Sequence, residues 1–265
     1  MSSLGKLEFV KPADIEARSF EIIAGELGDK RLDPENELVV KRVIHTSADF
    51  DYADNLVFSD HATTIGVEAL RAGCSVVTDT KMAAAGINKR VLAKFGGTVH
   101  NFISDADVAA EAKERGLTRS AVCMERAAAL GEPLVYAVGN APTALVRLYE
   151  MLQAGEMPCP PALIIGVPVG FVNVVESKEL VCELDVPHIV ARGRKGGSNV
   201  AAAIVNALLY LASNNEREST MPMPRNLPDH QQRLGARFFI ATPFYFLSSP
   251  IFVIPSAARG LSLLS

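Results

Sequence analysis

Of the five histidines in the sequence, His45 sits in the setting best suited to acid–base work. It closes a helical stretch carrying Lys41 and Arg42, and the polar run Thr46-Ser47-Ala48-Asp49 follows at once. The carboxyl end of a helix favours an imidazolium, and a nearby carboxylate favours it further. Such a side chain can hold and hand over a proton near neutral pH. Spacing alone leaves the plainer reading open, a histidine that merely ends a helix. His100 and His188 fall inside apolar runs and read as hydrogen-bonded core groups. His61 stands at a helix start, and His230 lies in a segment with no chemical pattern.

A second kind of chemistry is suggested by four segments that follow short apolar runs: Asp79-Thr80-Lys81, Gly139-Asn140-Ala141-Pro142-Thr143, Val167-Pro168-Val169-Gly170-Phe171 and Gly193-Arg194-Lys195-Gly196-Gly197-Ser198-Asn199. Glycine lets a ligand approach backbone N–H groups, and a helix start favours an anion. Arg194, Lys195 and Lys81 add positive charge. Together these loops suit a ligand rich in anionic groups, although any one of them could be an ordinary turn. The familiar signatures are missing: no GxxxxGK[ST], no GxGxxG in a first βα turn, no GxSxG and no HExxH. Nucleotide hydrolysis, hydride transfer, serine hydrolysis and zinc hydrolysis are disfavoured accordingly.

The elements that must carry these residues alternate regularly. Apolar runs at 74–78, 98–103, 134–138, 162–166 and 188–192 read as strands. Helical patterns cover 12–25, 34–45, 60–72, 81–95, 105–131 (as two helices), 142–154, 174–184 and 198–213. Continuous apolar strands joined by helices predict a three-layer α/β/α domain with a mainly parallel sheet of five to six strands. Ligands of such sheets bind beyond the carboxyl ends of the strands, where the four loops fall.

Bulk properties agree with one globular enzyme domain: 49% apolar residues, 21% charged and a net charge of −4. No basic stripe points to nucleic acid. The cysteines Cys74, Cys123, Cys159 and Cys182 are widely spaced without metal-ligand spacing, and the first twenty residues lack a signal-peptide core. A cytoplasmic location with reduced thiols is expected.

Six blocks in order carry a resemblance to a known family: RSFEII (18–23), KRVIHTSADFDYADNLVFS (41–59), DTKMAAAGI (79–87), GNAPTAL (139–145), GVPVGFVNVVESKE (166–179) and RGRKGGSNVAAA (192–203). Over about residues 8 to 213 the chain resembles the precorrin-8X methylmutases, also called cobalt-precorrin-8 methylmutases. The resemblance implies an isomerase of cobalamin biosynthesis that moves a methyl group from C-11 to C-12 of a contracted tetrapyrrole, giving hydrogenobyrinate or cobyrinate. It implies no cofactor and no protein metal site, since any cobalt arrives inside the substrate, and it implies a homodimer. The family's general acid/base maps onto His45, and Arg18 and Arg42 stand where the family holds substrate. Arg194, Lys195, Lys81 and Arg119 are further candidate partners for the acetate and propionate carboxylates of the ring. For Lys81, Arg119 and Lys195 plain surface charge is the competing reading. Asn140, Thr143 and Gly170 would serve through loop shape and backbone donors, and GVPVGF either lines the macrocycle face or packs as a turn. The run His45-Thr46-Ser47-Ala48-Asp49-Phe50 is more similar to the cobalt-precorrin members. A non-catalytic tetrapyrrole-binding protein is the alternative function.

The pattern breaks after Ser213. Residues 214–265 begin polar and proline-punctuated and end in the uncharged run FFIATPFYFLSSPIFVIP. Pro243, Pro250 and Pro255 interrupt any helix there, so membrane contact is not expected. The stretch reads as an extension outside the family, poorly ordered, beside an added packed element or an anchor as competing readings.

Overall fold

The computed structural model describes residues 7–218. A short 3-10 turn (Pro12–Asp14) leads into α1 (Ile15–Leu27), α2 (Glu37–Ser47), α3 (Tyr52–Asn55), β1 (Leu56–Phe58), α4 (Ala62–Arg71), β2 (Ser75–Thr78), α5 (Lys81–Gly86), α6 (Lys89–Lys94) and β3 (Val99–His100). Then come α7 (Ala106–Arg115), α8 (Arg119–Ala128), β4 (Leu134–Val138), α9 (Pro142–Gln153), β5 (Leu163–Gly166), α10 (Val174–Cys182), β6 (His188–Ala191) and α11 (Ser198–Glu218). The six strands lie in the order β1-β6-β5-β4-β2-β3. All neighbours are parallel except β1, which runs antiparallel to β6 with Leu56 opposite Ala191.

The central strands are apolar throughout because both faces are covered. Along β4, Val135 and Ala137 join one core, with α2, α4 and α11, while Leu134, Tyr136 and Val138 join the other, with α8, α9 and α10. The side-chain period of two thus divides each strand between two buried layers. α11 supplies much of the first layer, with Val200, Ala201, Ile204, Val205, Leu208 and Ala212 nearly or wholly buried.

Several elements depart from the sequence expectation, the short helix α3 among them. β1 was not anticipated: three residues are too few to show a period. The stretch 81–95 is two helices, because Asn88 turns its side chain to accept from the Val91 N–H and restarts the helix. β3 keeps only two residues, because the Asn101 amide turns inward to donate to the Thr78 carbonyl and hydroxyl. His188 is buried as expected, but His100 lies half-exposed on the edge strand, stacked on Phe102. α11 also runs five residues beyond Ser213. The expectations of poor order and no membrane contact for the extension lie almost wholly outside the described residues. Among those described, no helix is long and apolar enough to cross a membrane.

Two buried ionisable side chains hold the loops at the carboxyl edge of the sheet. β2 and β4 are neighbours whose connections leave in opposite directions, which opens a crevice between their ends. Asp79, 1% exposed, fills its floor and accepts from the backbone N–H groups of Gly139, Asn140 and Ala141 at 2.9, 2.8 and 2.7 Å. Burial pushes its carboxyl pKa up, and the three donors pull against that rise. Gly139 is needed because a Cβ there would sit 2.7 Å from Ser198 Cα, where the next loop crosses. That crossing carries a Thr80–Ser198 hydroxyl contact of 2.7 Å.

Lys178 performs the matching task beyond β5 and β6. It is fully buried on α10, and its Nζ donates at 2.8 Å to the carbonyls of both Gly193 and Lys195. The same loop approaches the 167–170 turn so closely that a Cβ on Gly196 would lie 2.1 Å from the Val167 carbonyl oxygen. Gly197 donates to that oxygen, and Gly170 donates to the Arg194 carbonyl.

Replacing Asp79 with Asn removes the charge and leaves N–H groups facing an amide donor. A loss of about 3 kcal/mol is expected from the buried unsatisfied donors, read as the shift of a urea unfolding midpoint. Lys178 predicts a pH dependence. Burial lowers its pKa from 10.5 to about 8. Below about pH 8 folded and unfolded chains both carry the charge, and the fold bears the whole cost of burying it. Between about 8 and 10.5 only the unfolded chain keeps its proton, so stability rises with pH. The stability of the native protein relative to Lys178→Met should therefore climb across that window, by on the order of 3 kcal/mol. A flat difference would show that Lys178 keeps its ordinary proton affinity.

Candidate active site

His45 occupies the last turn of α2, which ends when Ala48 adopts a left-handed conformation (φ 53°) and its N–H returns to the Ile44 carbonyl. Ser47 then bridges, its hydroxyl donating to Val43 and accepting from the Asp49 N–H. The imidazole is exposed, and its ring centroid lies 5.7 Å from that of Phe20 on α1. One turn back, the Arg42 guanidinium lies 5.1 Å from the Phe20 ring and 5.0 Å from that of Tyr210 on α11. His45, Phe20 and Arg42 thus form one face.

The expected substrate arginines are engaged within the chain. Arg42 pairs with Glu16 at 2.5 Å, and Arg18 pairs with Glu8 at 2.8 Å and Glu21 at 3.1 Å. The carboxylates of these pairs are about half exposed or more. Pairs of this type are worth little and can be exchanged for a ligand carboxylate.

β1 sets the position of this face in the molecule. Because β1 is antiparallel, the chain leaving α2 enters the sheet at the carboxyl end of β6. The segment after His45 therefore meets the glycine loop after β6, where Lys195 Nζ binds Asp49 at 2.6 Å and Asp51 at 2.5 Å. The ammonium holds the Asp49 carboxyl pKa down, and the two carboxylates push the lysine pKa up. Lys195, expected as a substrate or surface charge, is here a clamp between two segments. Arg194, next to it, lies 5.6 Å from the ring of Phe171, which is 81% exposed. Gly170, with φ 149°, turns the chain so that the apolar Val169, Phe171 and Val172 project outward. The two readings of GVPVGF are thereby divided along its length: Val167 is core and Phe171 is surface.

The remaining candidates gather in the crevice between β2 and β4. Lys81, Arg119 and Asn140 line one cavity of about 480 Å³ together with Thr80, Ser104 and Ser120. Arg119 reaches the Ile103 carbonyl at 3.4 Å. Thr143 bonds the Thr118 hydroxyl at 2.8 Å on the rim, and both also line an adjoining groove with Leu117, Val146 and Val172. The expectation that the Gly139–Thr143 loop offers its N–H groups to a ligand is corrected here. Three of them are already bound by Asp79.

The sequence reading gave no role to Lys178 or Asp51, placed Asp79 only in a loop, and took Asp49 as a partner for His45 rather than for Lys195. Each sits inside a quoted block, yet a charged residue in sequence shows nothing of the partner it meets across the fold. The fold alone reveals which backbone groups it meets.

Comparison with known proteins places this geometry. Residues 14–211 match the family model described as precorrin-8X methylmutase. The cobalt-precorrin-8 methylmutase of Salmonella typhimurium is 48% identical over 208 residues, covering 76% of this chain and 95% of that protein. The cobalt-precorrin-8 methylmutase of Priestia megaterium is 43% identical over 205 residues, 77% of this chain and 90% of that one. The precorrin-8X methylmutase of Pseudomonas aeruginosa is 42% identical, covering 73% and 93%. The crystal structure of the precorrin-8X methylmutase from Thermus thermophilus superimposes with a TM-score of 0.70 at 38% identity, covering 76% of this chain and 98% of that one. The chain belongs to the precorrin-8X methylmutase family, isomerases of cobalamin biosynthesis.

Proposed function

We propose that this chain converts cobalt-precorrin-8 to cobyrinate by moving the C-11 methyl group to C-12, with His45 as the proton donor and acceptor. The observation that carries the reading is the exposed imidazole at the end of α2, beside Phe20 and one turn from Arg42. An exposed imidazole against an aromatic edge suits a flat apolar ring, and the guanidinium beside it suits the ring's carboxylates. The cobalt form is preferred to metal-free precorrin-8X on the sequence 45–50 and on the names of the relatives at 48% and 43% identity.

The reaction is an isomerisation, so the composition of the substrate does not change. The bond from C-11 to the methyl carbon breaks as the bond from C-12 forms. A proton that His45 delivers to ring C to favour migration is taken back when the product's conjugation is established. One side chain with both roles needs no second acid. Lys195, joined to Asp49 and Asp51, keeps the segment after His45 in place. Arg18, Arg42, Arg194, Lys81 and Arg119 supply positive charge for the acetate and propionate arms, with Asn140, Thr143 and Gly170 shaping the loops around them. The protein works as a homodimer in the cytoplasm on this reading.

The reading is tested by visible absorption during incubation with cobalt-precorrin-8 and with precorrin-8X. The native chain should convert the cobalt form faster. His45→Ala should lose at least about a hundredfold in turnover while binding pigment with similar affinity. Conversion at the native rate by His45→Ala would refute the proton role and leave a pigment-binding protein as the better description of that site. We place the reaction wholly within residues 1–213. A chain ending at Glu218, which keeps α11 whole, should turn over at the full rate, and a tenfold loss would show that the extension contributes.

A further inference from the structure

A second basic cavity lies behind the His45 face, and apart from Arg42 the reading above gives its residues no role. It holds about 510 Å³ and is walled by α2, α6 and α11, with Arg42, Arg90, Lys94, Tyr210, Asn88 and Asn206 among its lining. Three cations face it against a single carboxylate, Glu16, which pairs with Arg42. Arg90 and Lys94 have no carboxylate within 4.0 Å among the described residues. They stand four residues apart on α6, so both heads project from one side of it. Arg42 binds Glu16 through one terminal nitrogen, and that carboxylate is half exposed, so a ligand carboxylate could take its place.

The wall that presents these groups is fixed. Asn206 on α11 accepts from the Asn88 N–H at 2.8 Å and donates to the Gly86 carbonyl at 2.9 Å, which ties the α5–α6 junction to α11. Tyr210 adds a half-exposed flat ring under the Arg42 guanidinium. A rigid recess with an aromatic floor and a surplus of guanidinium and ammonium groups selects carboxylates carried on short apolar arms.

Its place relative to His45 indicates which molecule brings the carboxylate. Arg42 and His45 are three residues apart on one helix, about 4.5 Å along its axis, and both touch Phe20. A ring seated on His45 and Phe20 would carry its peripheral arms over this recess. We propose that Arg90 and Lys94 form, with Arg42, a carboxylate subsite that holds an acetate or propionate arm of the macrocycle while His45 acts on the ring. The proposal rests on the methylmutase reading and adds specificity residues from α6.

Arg90 and Lys94 are exposed, so their substitution leaves the core intact. Arg90→Gln and Lys94→Gln are each expected to raise KM for cobalt-precorrin-8 about tenfold, with kcat falling less than twofold, as loss of uniform binding requires. The pair together should weaken binding of cobyrinate by more than tenfold and leave unchanged the binding of the corrin whose carboxylates are converted to amides. Arg90→Lys and Lys94→Arg should restore most of the affinity. A native KM in the double variant would overturn the subsite. So would an equal loss for acid and amide forms, which marks a structural effect. A native chain that fails to convert the substrate would instead refute the methylmutase reading, so the two failures are distinguishable.

Discussion

The carboxyl edge of this molecule depends on one buried carboxylate. Where β2 and β4 part, the sheet presents a crevice, and the start of α9 turns three N–H groups toward it. Water is excluded there, and unmet donors would be costly. Asp79 meets all three at once and so converts the most open point of the sheet into its firmest joint. The loop with Asn140 and Thr143, the first residue of α5 and the cavity between them take their shape from that joint. Such a crevice in an open sheet commonly receives a ligand's anion. Here the chain supplies the anion itself, and only side chains on the rim are left to meet any further anion.

Lys178 is the electrostatic converse on the other side of the crevice. An ammonium wholly inside the protein, satisfied by two carbonyls, keeps the glycine loop from relaxing outward. The loop in turn extends Lys195 to the segment behind His45. Support is therefore carried through three segments that are distant in sequence, and it reaches the backbone just after an exposed histidine. Surface pairs elsewhere, such as Arg115 and Arg147 converging on Glu125, lock α7, α8 and α9 to one another and make no contact with this chain of support.

Much of this arrangement was legible from the residues. Runs such as Leu134–Val138 can be buried on both sides only in a covered parallel sheet, and the loops that follow them had to lie at one edge. His45 could be singled out because the end of a helix and the polar run after it are local features. What could not be read was every relation that joins distant segments. Leu56–Phe58 is too short to show its period, yet it closes the sheet. Asp79 and Lys178 look like ordinary charges beside polar neighbours, and only the fold supplies their N–H groups and carbonyls. Arg90 and Lys94 fall between the recognisable blocks, where sequence similarity directs no attention, and only the fold brings them to the recess that Arg42 also lines.

The reversed edge strand has a consequence in time as well as in space. Leu56 pairs with Ala191, so the residues after His45 find their place only when almost the whole domain exists. The clamp from Lys195 comes later still in the chain. During synthesis the amino-terminal helices emerge early, but the segment after His45 cannot be anchored until β6 and the following loop have left the ribosome. Pairings of such long sequence separation form late because their loop must close first. The residue at position 45 is thus among the first made, and its surroundings are among the last to be completed.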